Sequence, residues 1–292
     1  MNNFKANYVK ILEVLQEITK TENFLNQKRK PKLKDIELIS LNITSEYLGI
    51  DSECQLFRII PLELKQKIER SVYNKRKRKL FNTIEFIRKQ IVFRFNEFET
   101  FYIVDSMPLE IVKLSRSLRS RICKEDFYTS PNIGFCASQN MRYYGYKLHA
   151  VCSVEGVFQS FDLTKASVHD IHYLKDIKND FNDCVIIGDK GYLSAEYQLD
   201  LFNSSNIKLE IPMRKNQVNY TKQPYLFKKK RKRIETLFSQ LCDQFMIRRN
   251  YAKSFEGFKT RILSKITALT IIQYINKFTF DRNINNLKIN IV

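Results

Sequence analysis

The sequence lacks the cysteine pairs and long apolar runs that would indicate a zinc module, a disulfide scaffold or a membrane helix. Its six cysteines stand singly, with no CxxC pair and no Cys/His cluster at zinc spacing, so free thiols in a reducing compartment are expected. No run of about eighteen apolar residues occurs, and residues 1–20 carry charges throughout, unlike a signal peptide. These absences predict a cytoplasmic protein that does not enter a membrane.

Basic residues are in excess, and two segments hold the whole of that excess. The 292 residues include 50 Lys and Arg against 31 Asp and Glu, which gives a net charge of +19. Residues 63–95 hold 11 basic and 3 acidic side chains, residues 213–261 hold 14 and 3, and the rest sums to zero. A local excess of this size attracts polyanions by counterion release, so nucleic acid is the first partner to expect. An acidic membrane surface, or mere solubility, is the alternative.

The first 95 residues show helical periodicity and no strand alternation. A first helix is indicated by apolar residues on one face between Val9 and Ile18. A second is predicted over 33–47, ends near Gly49, and is followed by a short helix capped by Asp51 or Ser52. This helix–turn–helix is either a DNA-binding unit or a packing element of a helical domain.

A long basic helical stretch is predicted over 62–95. It contains a run of five cations, which either contact phosphates or form a solvated face: Lys75, Arg76, Lys77, Arg78 and Lys79.

Strands and helices alternate after residue 98. The predicted strands are 101–104, 143–153, 157–164, 184–187 and 207–212, and the predicted helices are 167–181, 194–202, 228–245 and 255–278. A mixed α/β sheet flanked by helices is the most economical fold for this order. The predicted divisions of the chain are a helical domain over 1–95, an α/β domain over 96–275 and a C-terminal tail over 276–292.

Three acidic residues stand where the surrounding sequence does not demand a charge. Asp105 ends the first predicted strand, Asp189 follows the fourth, and Glu235 lies among apolar residues of a predicted helix. Because active groups of α/β sheets gather at the carboxyl ends of strands, the three could converge on one site. Clustered carboxylates repel one another unless hard cations such as Mg²⁺ or Mn²⁺ lie between them. Taken singly, each is better explained as a turn or surface residue.

Five segments together resemble a known family. They read YIVDSMP at 102–108, GFCAS at 134–138, YYGYKLH at 143–149, IIGDKGY at 186–192 and RIETLFSQL at 233–241. These segments resemble the corresponding segments of the DDE transposases of bacterial insertion sequences, with the insertion sequence 982 family as the nearest match. The likeness extends over about residues 98–275, in the order of the family.

The resemblance implies that the helical domain over 1–95 binds the DNA ends and that 96–275 is an RNase H-like catalytic domain. In that domain Asp105, Asp189 and Glu235 would hold two Mg²⁺ ions, with Mn²⁺ as a substitute. It implies DNA cleavage and joining at the inverted-repeat ends of a mobile element. The implied partners are double-stranded DNA of those ends and of the target, and further copies of the chain in a dimer or larger oligomer near the nucleoid. A catalytically silent DNA-binding regulator and a related nuclease are the alternatives.

Further cations near the predicted site are expected to contact DNA. Arg231 precedes Glu235 by four residues, so it shares a helix face with that carboxylate. The complete predicted set outside the first basic run is Lys190, Arg214, Lys215, Lys228, Lys229, Lys230, Arg231, Lys232 and Arg233.

The histidines and two tyrosines are weaker candidates. His169 and His172 have helical spacing around Asp170, but a surface or helix-cap role is favoured because no third ligand is near in sequence. His149 lies in or at the end of a strand near the expected substrate path. Tyr143 and Tyr144 either stack on bases or, as is favoured, pack in the sheet.

Overall fold

The computed structural model describes residues 3–95, 99–214, 216 and 220–292. The chain forms two compact units, one of Met1–Phe95 with Gln240–Val292 and the other of Asn96–Ser239. Within the described ranges, no helix has both the length and the apolar character needed to span a bilayer.

The first unit is helical. Its helices are α1 (Phe4–Ile18), α2 (Asp35–Tyr47), α3 (Glu53–Ile59), α4 (Leu62–Lys65), α5 (Arg70–Lys79), α6 (Phe81–Phe93) and, from the C-terminal part of the chain, α10 (Phe255–Tyr274). Buried residues cover almost all of α2, which packs against α1 and α10. The first helix of the predicted DNA-binding pair is therefore the centre of a helical core.

Three local predictions for this unit are confirmed, one of them with interruptions. Gly49 has a φ of +65° after α2, and the Ser52 hydroxyl accepts from the Cys54 N–H at the start of α3. The helical stretch predicted over 62–95 is present and consists of three helices, interrupted at 66–69 and at Leu80. Leu80 is fully buried, so a bend there lets α5 and α6 each turn an apolar side into the core.

Residues after 239 group with the N-terminal helices because α10 buries nearly its whole length against α2 and α6. The grouping differs from the predicted catalytic domain of 96–275, and the tail 276–292 also packs, with Ile291 fully buried. The functional limits 1–95, 96–275 and 276–292 stay a prediction.

A six-stranded mixed sheet forms the second unit. Its strands are β1 (Phe101–Val112), β2 (Asn132–Cys136), β3 (Met141–Ser153), β4 (Phe158–Lys165), β5 (Cys184–Ile187) and β6 (Ile207–Glu210). β1 pairs antiparallel with β3 on one side and parallel with β5 on the other, and β6 extends the parallel part. The far edge of β3 pairs with β2 along its first half and with β4 along its second.

Helices flank this sheet. One face packs against α7 (Leu174–Asp180) and α8 (Ala195–Ser205), with Val104, Ile186 and Leu201 in the shared core. The helix α9 (Tyr225–Asp243) follows β6. The predicted fold class, an RNase H-like mixed sheet flanked by helices with helices at the N-terminus, is confirmed. β2 was not predicted, because every second residue of this five-residue strand, Asn132, Gly134 and Cys136, lacks a β-branched or aromatic side chain.

Candidate active site

Asp105 and Asp189 occupy equivalent positions, each two residues after the last paired residue of two neighbouring parallel strands. β1 and β5 pair with Ile103 opposite Ile187, and each aspartate stands two residues beyond that pair. Gly188 follows β5 at a crowded position, because a Cβ there would lie 2.7 Å from Ile211 Cδ1. The register thus places both carboxylates where the parallel part of the sheet ends.

The prediction that Asp105 ends its strand is wrong. β1 continues to Val112, because its pairing with β3 persists after its pairing with β5 has stopped at Ile103. Pro108 suggested a break, yet it lies within the strand opposite Lys147. Asp105 therefore marks the point at which β1 loses its β5 neighbour and gains an open edge.

Side-chain alternation along β1 directs Asp105 toward α9. The ring of Phe101 lies 4.8 Å from Lys230 Nζ of α9. Asp105, four residues on and hence on the same side of the strand, interacts electrostatically with Arg231 and Glu235 of that helix. The charges of Asp189 and Glu235 therefore both act on Asp105, although the three acids are separated by 84 and 46 residues in sequence.

Glu235 is presented by a helix whose other side is firmly packed. Ile234, Leu237 and Phe238 are buried, and the Phe238 ring stacks on Phe158 with 6.2 Å between centroids. The Glu235 side chain is 54% exposed, and its Oε1 lies 3.8 Å from Arg231 Nη2. The pairing expected one helical turn apart is present, and Arg231 restrains the carboxylate loosely.

The electrostatics of Asp105 reflect this crowding. Burial raises the pKa of Asp105 to about 7, and the nearby Asp189 and Glu235 carboxylates raise it as well. The Ser106 N–H, which donates to Asp105 Oδ1 at 2.8 Å, and the Arg231 guanidinium act in the opposite direction. Without a cation, the ionised form of Asp105 is thus disfavoured at the centre of a negative cluster.

Such a donor set fits a hard divalent cation. Carboxylate oxygens are the preferred ligands of Mg²⁺ and Mn²⁺, and the repulsion at Asp105 is what a cation would relieve. Asp189 is already oriented, since its Oδ1 accepts from the Gly191 N–H at 2.7 Å. As the side chains stand, no three His, Cys, Asp or Glu residues of the described ranges form a metal-holding group. Glu235 is exposed, so a change of rotamer could bring its carboxylate closer.

A second polar cluster, centred on Asp170, lies on the opposite side of β1 and was not found from the sequence. Asp170 Oδ1 accepts from Ser106 Oγ at 2.8 Å and lies 3.0 Å from Lys147 Nζ. Gly191 lies next to both aspartates, since a Cβ at this position would stand 2.9 Å from Asp189 Oδ1 and 3.4 Å from Asp170 Oδ2. Asp170 therefore lies between Ser106, which follows Asp105, and the turn that holds Asp189. In the sequence, only the alternation of the polar residues Lys147 and His149 along one strand indicated a polar cluster here.

The histidines have structural positions. His169 Nδ1 accepts from the Ile171 N–H at 3.3 Å and caps the short 3₁₀ turn that follows, which confirms the cap role. His149 is fully buried and lies 2.8 Å, Nε2 to Oγ1, from Thr164. Burial lowers its pKa to about 4, so the ring is neutral near pH 7. Tyr143 and Tyr144 are buried, as sheet packing predicts.

The cations predicted to contact DNA divide into exposed and buried groups. Arg76 and Lys77 are buried, and they pair with Asp35 at 2.6 Å and with Glu53 at 2.8 Å, so they do not present their charges to a ligand. The others are exposed or partly exposed: Lys75, Arg78, Lys79, Lys190, Arg214, Lys228, Lys229, Lys230, Arg231, Lys232 and Arg233. Lys215 lies outside the described residues.

Comparisons with known proteins identify the sheet-containing part of the chain. The family described as the transposase DDE domain matches residues 96–271, which is more than half of the chain. Curated proteins give no match. A similar solved structure is the Mos1 transposase paired-end complex with the left transposon end, at 11% identity and a TM-score of 0.24. That alignment covers 87% of this chain and 82% of the other, and a similarity this low carries no argument.

Proposed function

The chain belongs to the transposase DDE domain family, and on that premise we propose that it cuts and joins DNA at the inverted-repeat ends of an insertion sequence. The observation that carries the proposal is the register of β1 and β5, which gives Asp105 and Asp189 equivalent positions after two paired parallel strands. The charge of Glu235 also raises the pKa of Asp105. The insertion sequence 982 family is the proposed subgroup, on the wording of the five sequence segments.

Asp105, Asp189 and Glu235 are the residues that would hold the metal. Two Mg²⁺ or Mn²⁺ ions, when bound, supply activation of a water or 3′-hydroxyl and stabilisation of the leaving oxygen in an in-line phosphoryl transfer. The protein holds each aspartate by one oxygen, through the N–H groups of Ser106 and Gly191. Arg231, between this cluster and the exposed part of α9, is placed to orient Glu235 or to hold a phosphate.

DNA is the proposed substrate and partner. The helix that carries Glu235 also carries six consecutive cations, 228–233, of which Lys228, Lys229 and Lys232 are exposed. Lys190, next to Asp189, is exposed as well. Cations this close to the carboxylates offset their repulsion of a phosphate backbone. An oligomer on DNA and a cytoplasmic, nucleoid-associated location belong to the same proposal.

A cleavage assay on a duplex that carries the element's own ends tests the proposal. Purified protein should cut this duplex with Mg²⁺ or Mn²⁺ and not with EDTA. Asp105→Asn, Asp189→Asn and Glu235→Gln should each abolish cleavage while DNA affinity stays within about threefold, because no basic side chain is lost. The matched controls are Asp176→Asn and Glu196→Gln, which neutralise exposed carboxylates of the same unit.

Other outcomes of this assay would each support a different conclusion. Substantial turnover by any of the three variants would remove that residue from the site. Binding without cleavage under all metal conditions would indicate the silent regulator. Hydrolysis of the ends without joining to a target duplex would indicate a nuclease.

A further inference from the structure

The loop between β1 and β2, residues 113–131, exposes large apolar side chains that a folded unit normally buries. Leu118 is 95% exposed, Phe127 82% and Tyr128 83%. The two rings stand edge to face, with 5.8 Å between centroids and 81° between planes. Adjacent exposed rings of this kind indicate a binding surface more strongly than isolated apolar residues do.

The exposure of these rings does not come from a loose backbone. Cys123 is fully buried in the same loop, and the Tyr146 hydroxyl donates to the Thr129 carbonyl at 2.5 Å. Lys165 Nζ donates to the Phe127 carbonyl at 2.9 Å, and the Tyr128 N–H donates to Asp126 Oδ1 at 2.7 Å. The loop is therefore fixed on both sides of the two rings, which are presented outward in a set geometry. Little ordering entropy remains to be lost when a ligand binds.

Cations surround the rings. The segment 113–128 holds five basic and two acidic residues, and all five basic side chains are exposed: Lys113, Arg116, Arg119, Arg121 and Lys124. Lys165 Nζ lies 5.0 Å from the centroid of the Phe127 ring. Exposed rings among cations combine the two features that bind single-stranded nucleic acid, namely faces for base stacking and charges for the phosphates.

We propose that the β1–β2 loop binds unpaired bases of single-stranded DNA, with Phe127 and Tyr128 stacking on the bases and the loop cations contacting the phosphates. The inference rests on the proposed function, in which cleavage and joining produce strand ends whose terminal bases can separate from their partners. It adds a contact surface that lies outside both of the strongly basic segments of the sequence. A protein partner is disfavoured by the five cations, because charged side chains are depleted at the centres of protein interfaces.

The absence of tryptophan from the chain gives a direct reporter. Phe127→Trp introduces the only indole, whose fluorescence is quenched when a base stacks on it. Titration with an oligothymidylate of about twenty nucleotides in EDTA should quench this signal strongly. A strand of that length is longer than a typical single-strand binding site, so it can place a base against the indole. The matched control is Phe202→Trp, at a 55% exposed ring on α8, a helix that has acidic residues and no basic ones. Its signal should change little.

Affinity gives a second measurement. Phe127→Ala with Tyr128→Ala should weaken oligothymidylate binding by about tenfold or more, since each stacked base contributes substantially. Phe202→Ala should bind as the unaltered chain does. Circular dichroism melting should show both variants folded, because the replaced rings are exposed. Affinity for a blunt duplex should fall much less than affinity for the single strand.

Four outcomes overturn the inference. Equal quenching of the Phe127→Trp and Phe202→Trp variants, or unchanged affinity of the double alanine variant, excludes stacking at the loop. Conversion of an oligomer to a smaller species by the double alanine variant assigns the surface to contacts between copies. Tighter binding of oligouridylate than of oligothymidylate assigns it to RNA. Because the titration needs no metal, metal-dependent cleavage without quenching refutes only this inference, whereas quenching without cleavage refutes the proposed function.

Discussion

Asp105 and Ser106 are adjacent in sequence and face opposite sides of the sheet. Asp105 is directed toward Arg231 and Glu235 of α9, whereas Ser106 Oγ donates to Asp170 Oδ1 at 2.8 Å on the other side. Since one peptide unit joins the two side chains, whatever fixes Ser106 also fixes the backbone from which Asp105 projects. The Asp170 cluster is in this way a support for the candidate active site.

The first prediction concerns Asp170 as a positioning residue. Asp170→Ala removes the acceptor of Ser106 and the anion beside Lys147, and so loosens both β1 and the turn at Gly191. We expect the cleavage rate to fall by about 10- to 100-fold, as for other residues that orient metal ligands, with duplex affinity nearly unchanged. Asp170→Asn, which still accepts from Ser106, should restore part of the rate.

Manganese affinity separates this role from a merely structural one. Titration of Mn²⁺ followed by electron paramagnetic resonance should show weaker binding by Asp170→Ala and normal binding by the control Asp176→Asn. A variant that melts earlier but binds Mn²⁺ normally would show that Asp170 only stabilises the fold.

The second prediction concerns the pH dependence of stability in the metal-free protein. The pKa of Asp105 is about 7 in the folded chain, against an ordinary value of 3.8. The unfolded chain therefore releases this proton first, so Asp105 lowers stability progressively as pH rises from about 4 to about 7. Asp105→Asn removes that loss, and each unit of pKa difference corresponds to about 1.4 kcal/mol.

Urea unfolding in EDTA at about pH 5 and about pH 8, on either side of the folded-state pKa, measures the effect. The stability gain of Asp105→Asn over the unaltered chain should be larger at the higher pH, and Asp176→Asn should gain nothing at either. Addition of Mg²⁺ should stabilise the unaltered chain and leave Asp105→Asn unaffected. An Asp105→Asn gain that is the same at both pH values would place the carboxylate in a solvated environment.

How far the sequence predicted this molecule differs from feature to feature. The uninterrupted apolar run at 184–187 correctly indicated a strand covered on both faces, because no polar residue interrupts its burial. The extent of β1 was missed, since Pro108 suggested an end and only the pairing with β3 keeps the strand going. Local signals predict local structure well, whereas strand length depends on a partner distant in the chain.

The candidate site shows the same division. Asp105, Asp189 and Glu235 stood out as acidic residues beside apolar runs, and their assignment as a metal-binding triad came from the resemblance of the surrounding segments to the DDE transposases. Asp170 was not, since its role depends on Ser106 and Lys147, which are 64 and 23 residues away in the sequence. The basic run 75–79 was predicted as one surface, but two of its five side chains pair with buried or partly buried carboxylates. Composition does not reveal such pairs.

The third prediction follows from one of those pairs. Arg76 Nη2 lies 2.6 Å from Asp35 Oδ1 and also donates to the Leu33 carbonyl at 2.9 Å. Asp35 is fully buried, so Arg76→Gln leaves its carboxylate without a cation and should cost about 3–5 kcal/mol of unfolding free energy. Lys75→Gln, at an exposed neighbour, should cost less than about 0.5 kcal/mol. Urea denaturation of the two variants compares them directly, and similar losses would contradict the burial of Arg76.

The last prediction concerns the exposed cations of α9, which share a helix with Glu235. Lys228→Gln, Lys229→Gln and Lys232→Gln combined should lower the cleavage rate more than the duplex affinity, because these charges lie within about two turns of the proposed metal ligand. The slope of log affinity against log salt should become shallower by about 0.9 for each phosphate contact that is lost.

Lys75→Gln with Lys79→Gln is the matched variant in the other basic segment. It should flatten the salt slope and weaken binding about equally across DNA sequences. The cleavage rate at saturating DNA should stay unchanged. If the two sets changed rate and affinity in the same proportion, the cations of α9 would have no special relation to the chemistry. If neither set altered the salt slope, both segments would be solvated faces and the DNA path would have to lie elsewhere.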